Sequence, residues 1–243
     1  MSSAKVRSAS EIYDLFAEQY RSYSDGKKAY IDAVDRQIIE RFAGKVSNVL
    51  DFGAGDGVRG ARVYSELKAQ SLTQVDISDA MVEKCKALRA ADRVFNVQHS
   101  AWLEGQFEFD LAMCLWNVLG HVPGSTDRVA ALKQIRSRLA PNGMFIFDVN
   151  NRHNEGYGYL KSIGRRALDF IAPDDSRGDV VFDWEIDGEK FPASGHFFTP
   201  AEVKRLLASS GFSPVEIMAV DYSSGTVSAR LTKGQLLVVA KPA

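Results

Sequence analysis

Two hydrophobic periods alternate along this chain. Apolar runs bounded by polar or glycine-rich turns occupy residues 49–52, 72–76, 109–116 and 144–149, with a weaker one at 93–98, and read as strands of a buried sheet. Between them, apolar residues recur at helical spacing: Val58, Ala61, Tyr64 and Leu67; then Met81, Val82, Cys85 and Leu88 over 79–90; then Val129, Leu132, Ile135 and Leu139. Ser78 and Thr126 are placed to cap the second and third of these helices. Thr199, Pro200 and Glu202 combine a cap, a first-turn proline and a capping-box acid ahead of Val203, Leu206 and Leu207, and Gly211 stops that helix. Strands at 212–220 and 235–240 close the chain. Strand alternating with helix predicts an α/β fold built on a parallel sheet. Ahead of it, Ile12, Leu15, Phe16 and Gln19 predict one helix over 10–23, and Ile31, Val34, Ile38 and Phe42 a second, stopped by Gly44.

The pattern is most specific at Val49-Leu50-Asp51-Phe52-Gly53-Ala54-Gly55-Asp56-Gly57, where a strand runs into three glycines at alternate positions and then a helix. Lacking Cβ, such glycines admit positive φ and let a ligand approach the N–H groups at the helix start. The next strand ends at Asp76, placed at the carboxyl edge of the sheet where a carboxylate can accept both hydroxyls of a ribose. Strand, glycine turn, helix, strand and terminal acid together predict a nucleoside-binding βαβ unit.

These residues resemble the first motif of the class I S-adenosylmethionine-dependent methyltransferases, two apolar residues followed by Asp/Glu-x-Gly-x-Gly-x-Gly. A nicotinamide-dependent dehydrogenase would carry Gly-x-Gly-x-x-Gly instead. The resemblance implies a Rossmann-like, seven-stranded, mostly parallel sheet with helices on both faces, an antiparallel last strand forming an edge pair with its predecessor, and a small inserted cap. It implies S-adenosylmethionine as cofactor, held by Asp51, Gly53, Ala54, Gly55, Gly57, Asp76, Ile77, Met81 and Leu115, with Tyr13 and Tyr20 on a lid formed by the N-terminal helices. Its usual adenine contact follows the third strand, where Ser100, Ala101 and Trp102 stand in place of an acid. The chain divides as one methyltransferase domain: helical lid 1–44, cofactor core 45–151, inserted cap 152–198, and C-terminal helix with edge strands 199–243.

Composition narrows the partners. Thirty basic and 31 acidic residues in 243 leave a net charge of −1, which argues against general attraction to nucleic acid. The Asn/Asp-Pro-Pro-aromatic motif of nucleobase amino-methylating relatives is absent after the fourth strand. The polar start Met1-Ser2-Ser3-Ala4-Lys5 and the lack of any long apolar run predict a cytoplasmic protein with no membrane partner. Cys85 and Cys114 read as core residues, and no spacing suggests a metal site.

The acceptor is expected to be a small molecule, methylated on nitrogen or oxygen, at the edge reached by strands four and five. Trp116, Asn117, Asn150, Arg152 and Tyr157 are candidate substrate contacts, and His121 and His153 the candidate bases. Residues 152–198 interrupt the repeat with a basic first half, an acidic second half and a hairpin turning at Asp187-Gly188; Trp184 and His196 within it read as packing residues. The alternatives are an RNA or protein methyltransferase, a protein that binds S-adenosylmethionine without turnover, and a nicotinamide reductase.

Overall fold

The computed structural model describes residues 6–243, so the polar start at residues 1–5 lies outside it. In chain order the elements are α1 (Ala9–Phe16), α2 (Tyr20–Asp25), α3 (Lys28–Phe42), β1 (Asn48–Phe52), α4 (Val58–Leu67), β2 (Ser71–Asp76), α5 (Asp79–Leu88), β3 (Arg93–Asn96), α6 (Ser100–Leu103) and β4 (Phe109–Cys114). They continue with α7 (Gly124–Arg136), β5 (Leu139–Val149), α8 (Tyr159–Ile171), β6 (Asp179–Ile186), β7 (Glu189–His196), α9 (Pro200–Ser209), β8 (Phe212–Val220), β9 (Val227–Ser228) and β10 (Gln235–Pro242).

The main sheet has the order β3-β2-β1-β4-β5-β10-β8-β9. The pairs from β3 through β5 are parallel, and β10 runs antiparallel to both its neighbours. The chain therefore forms the expected Rossmann-like sheet, with two differences. An eighth strand, the two residues of β9, pairs with the end of β8 and is too short for a period of two to register in the sequence. The last strand is not at the edge: Gln235–Ala240 is buried on both faces between β5 and β8.

Adjacent residues of each central strand feed opposite cores. Val49 and Leu111 pack with Val34, Ile38, Val63 and Leu67 from α3 and α4. Leu50 and Ala112 pack with Leu132, Ile135 and Leu207 from α7 and α9. Close packing under α4 leaves no room at Gly60, where a Cβ would fall 1.9 Å from the Asp51 carboxylate. Gly60→Ala should destabilise the fold by about 1–3 kcal/mol, read as a drop of several degrees in unfolding temperature.

Several local expectations change. The helix expected over 10–23 is two helices, and Leu15 is exposed while Ile12 and Phe16 are buried. Leu88 is also exposed, because α5 ends there and Arg89 turns into the left-handed region. Thr126 is inside the first turn of α7 and caps nothing. The Ser78 cap, the Thr199–Glu202 capping box and the Asp187-Gly188 hairpin turn form as read from the sequence. Among the described residues no helix is long and apolar enough to cross a membrane.

Candidate active site

Gly53, Gly55 and Gly57 all have positive φ, at 79°, 56° and 79°. A Cβ on Gly53 would fall 2.5 Å from the Val118 side chain, and one on Gly55 would fall 2.6 Å from the Tyr20 hydroxyl. The turn is braced by Asp76, which accepts from the Gly55 N–H at 2.8 Å and from the Ser78 N–H at 2.9 Å. Burial pushes its carboxyl up to about 6 against the pull of those N–H donors. Asp51 has a different position from the one expected of a ligand contact. It lies beneath α4, 3.3 Å from Gln74 Nε2, and burial raises it to about 7.

A cavity of about 580 Å³ opens beside this turn. Of the residues expected at the cofactor, Tyr13, Tyr20, Gly53, Gly55, Asp76, Ile77 and Leu115 line it. Asp51, Ala54, Gly57 and Met81 lie behind its wall, Met81 fully buried. Ser100 and Ala101 are exposed on α6 and do not reach it. Trp102 cannot offer a stacking face to a ligand. It is fully buried, stacked on Phe107 at 5.4 Å, with its indole N–H donating to Gln134 at 3.0 Å. Val97 and, from α7, Ala131 and Gln134 form that wall instead. Their helical and strand patterns carried no sign of it.

A second cavity of about 380 Å³ meets the first at Tyr13, Tyr20, Trp116 and His121. It sits at the end of β4, where Trp116 and Asn117 both adopt left-handed backbone, φ 68° and 60°. Hydrogen bonds hold this corner: the Trp116 N–H donates to Asp148, the Asn150 N–H donates to Asn117 Oδ1 at 2.8 Å, and the Trp116 indole donates to the Tyr222 hydroxyl at 3.1 Å. Burial raises the Asp148 carboxyl, which also accepts from the Tyr30 hydroxyl.

The remaining walls come from the N-terminal helices and the hairpin. Phe16 and Tyr23 face Phe182 and Trp184, and the Phe16 and Trp184 rings are 4.4 Å apart. Trp184 and His196, read as packing residues, thus also border the cavity, and Phe16, Tyr23, Phe182 and Tyr222 were missed as wall residues. Only the aromatic spacing near Tyr13 hinted at them.

His121 and Tyr13 stand at the junction, with His121 Nε2 3.2 Å from the Tyr13 hydroxyl. Burial lowers the imidazole to about 4, with the Ser194 backbone pulling weakly the other way. Burial also raises the Tyr13 phenol, so both groups are neutral near pH 7.

His153 is elsewhere. It pairs with Asp169 at 2.9 Å in a groove with Arg166 and Arg205, which removes it as a base candidate. Arg152 is buried against the same Asp169 at 2.5 Å, and Tyr157 accepts from Gln235 Nε2 at 2.5 Å. Neither lines the aromatic cavity, whereas Trp116, Asn117 and Asn150 do.

A third crevice of about 120 Å³ adjoins Tyr20 and Trp116 and contains Arg59, the second residue of α4. Its Nε donates to Asp35 at 2.8 Å, while its buried Nη1 has no hydrogen-bond partner among the described residues. An unpartnered guanidinium N–H beside a helix start suits a carboxylate.

The family profile described as "Methyltransferase domain" matches residues 20–217. A comparison of the sequence with curated proteins returned no match. Among solved structures, the DhpI-SAM-HEP complex is 21% identical over 96% of this chain and 95% of its own, with a TM-score of 0.66. The PH0226 protein from Pyrococcus horikoshii OT3 is 19% identical over 96% and 99%, with a TM-score of 0.65. An S-adenosylmethionine-dependent methyltransferase from Clostridium acetobutylicum ATCC 824 is 16% identical over 96% and 99%, with a TM-score of 0.62. These likenesses establish the fold. S-adenosylmethionine, with its ribose diol and amino-acid carboxylate, fits the glycine cradle, the edge acid and the Arg59 Nη1 left without a hydrogen-bond partner among the described residues. The chain belongs to the methyltransferase-domain family and is a class I S-adenosylmethionine-dependent methyltransferase.

Proposed function

We propose that this enzyme methylates a nitrogen or oxygen of a small-molecule acceptor held in the aromatic cavity. The observation that carries this reading is the junction, where two cavities of ligand size share Tyr13, Tyr20, Trp116 and His121. In this reading Gly53 and Gly55 cradle the donor, Asp76 receives its ribose hydroxyls, and Arg59 receives its carboxylate. When bound, the donor supplies a methyl group on a sulfonium with a neutral thioether as leaving group. The protein's own work is alignment and exclusion of water. Tyr20 covers Gly55, and the paired Phe16 and Trp184 rings close the N-terminal helices onto the hairpin. Well-oriented reactants gain several kcal/mol of barrier lowering without a protein nucleophile.

A lid of this kind favours a small acceptor over RNA or protein. The basic half of the insertion does not supply a free cationic face at Arg152, which is committed to Asp169.

Thermal unfolding with S-adenosylmethionine, S-adenosylhomocysteine, NADH and NADPH in parallel tests the donor. At about 100 times the dissociation constant the adenosyl ligands should raise the unfolding temperature by about 5–10 °C; a rise with the nicotinamides alone would overturn the reading. Trp184→Ala should keep the donor-induced rise while acceptor kcat/KM falls about 10- to 100-fold through the opened wall. Equal loss of donor and acceptor binding would contradict separate cavities.

A further inference from the structure

We infer that the acceptor is a small amine, taken up as its uncharged free base and methylated on nitrogen without a general base from the protein. The inference rests on the small-molecule reading above and narrows it to one acceptor class.

Among the described residues, the walls of the acceptor cavity contain no Asp, Glu, Lys or Arg. A carboxylate or phosphate acceptor would therefore meet no cation in the walls, at a high desolvation cost; the Lys27 ammonium lies outside them, its Nζ 5.6 and 5.5 Å from the centroids of the Tyr23 and Tyr222 rings. The donor cavity adds Asp76, Arg7 and Glu11; Asp76 acts on the Tyr13 and Tyr20 phenols, and Arg21, Asp56 and Arg59 border Tyr20 and Trp116 from the third crevice. The titratable groups facing the acceptor cavity are tyrosines, chiefly Tyr13, Tyr20, Tyr23 and Tyr222, and two histidines.

Both histidines are already engaged by side chains. His121 is engaged at Nε2 by the Tyr13 hydroxyl at 3.2 Å. His196 lies between Asp179 at 2.6 Å and Glu202 at 2.8 Å, with Arg128 beside both carboxylates. The tyrosine phenols are held in their neutral form by burial. A phenol or alcohol acceptor would have to lose its proton to one of these groups. His121, its Nε2 already bonded to the Tyr13 hydroxyl and its imidazole lowered by burial, is a poor acceptor for that proton.

An amine needs no such help once it is unprotonated. An uncharged aromatic cavity disfavours an ammonium with no carboxylate beside it, and the depressed imidazole of His121 shows this environment acting on a basic nitrogen. The nitrogen lone pair then forms the new N–C bond as the C–S bond breaks, with that electron pair going to sulfur. The methylated nitrogen carries the positive charge that the sulfonium brought and leaves as the ammonium ion.

The test uses the full-length enzyme with S-adenosylmethionine and matched probes: phenethylamine, tyramine, 4-ethylphenol and 3-phenylpropionate. S-adenosylhomocysteine formation is followed and the methylated atom located by mass spectrometry. The expected result is N-methylation of the amines, tyramine included, and no product from the phenol or the acid. Below the amine's solution pKa, kcat/KM should rise about tenfold per pH unit, with the same slope in His121→Gln whatever its rate. O-methylation of tyramine or 4-ethylphenol, a methyl ester of the acid, or a slope abolished in His121→Gln overturns the inference while leaving a small-molecule methyltransferase. Failure of both amines also overturns it. Turnover of added RNA or protein alone would overturn the small-molecule reading itself.

Discussion

Asp76→Ala should abolish the rise in unfolding temperature that S-adenosylmethionine gives the parent protein. Asp76 does two jobs. Its carboxylate already accepts from the N–H groups of Gly55 and Ser78, fixing the turn around a glycine with φ of 56°, and it borders the donor cavity. Hydrogen bonds to a charged group contribute about 1.5–3 kcal/mol each. Losing a pair of them to the ribose, together with the brace on the turn, should weaken donor binding by at least about 100-fold. Calorimetric titration with S-adenosylhomocysteine gives the affinity, and the unfolding temperature of the unliganded variant separates the brace from the ligand contact. Near-parental affinity in the variant would remove Asp76 from the donor site.

Stability of the unliganded enzyme should fall as pH rises from 6.5 to 8, and Asp51→Asn should flatten that slope. Burial lifts the Asp51 carboxyl to about 7, opposed by Gln74 and Arg59 and reinforced by Asp76 and Asp35. An acid whose folded pKa lies above its unfolded value favours folding while protonated. That contribution is present below about 4 and is lost as pH climbs through the folded value. Between pH 6.5 and 8 the loss amounts to about 1 kcal/mol, or a few degrees in unfolding temperature. His121, lowered to about 4, is neutral in the folded protein across this window. Its opposite effect is already partly expressed at pH 6.5, where the unfolded imidazole is half protonated; it offsets about 0.4 kcal/mol of that loss and grows on further acidification, where the folded state resists a proton that the unfolded chain accepts. At pH 8 the carboxamide should stabilise by on the order of 2 kcal/mol, since it removes a buried charge. It also brings a donor toward Gln74 Oε1, a buried atom without a hydrogen-bond partner among the described residues. An unchanged slope in Asp51→Asn would assign the pH dependence to other groups.

Both carboxylates belong to the stretch where the sequence was most legible, and they part company there. Glycines at 53, 55 and 57 are required by local backbone geometry, so their φ values could be foreseen from residue type. The burial of Asp51 beneath Gly60 and the approach of Asp76 to Gly55 depend on how α4 and β2 pack, and residue type says nothing of that. Trp102 makes the same point. Its place after β3 suggested a ligand contact, while the stacking of Phe107 and the bond to Gln134 of α7 draw it into the core.

The sequence alone determined the alternation of buried strands and amphipathic helices, the glycine turn, the Thr199–Glu202 capping box and the hairpin turn. Each follows from interactions within a few residues or from a period repeated along one element. Tertiary structure decided what lines the cavities. Tyr13, Trp116, Trp184 and Tyr222 come from separate parts of the chain and meet only because the N-terminal helices and the inserted hairpin fold over the end of β4. It also separated His121 from His153, two histidines of equal promise in the sequence. One was drawn to Tyr13 at the cavity junction and the other to Asp169 in an outer groove, because side-chain partners distant in sequence are chosen by packing and not by local pattern.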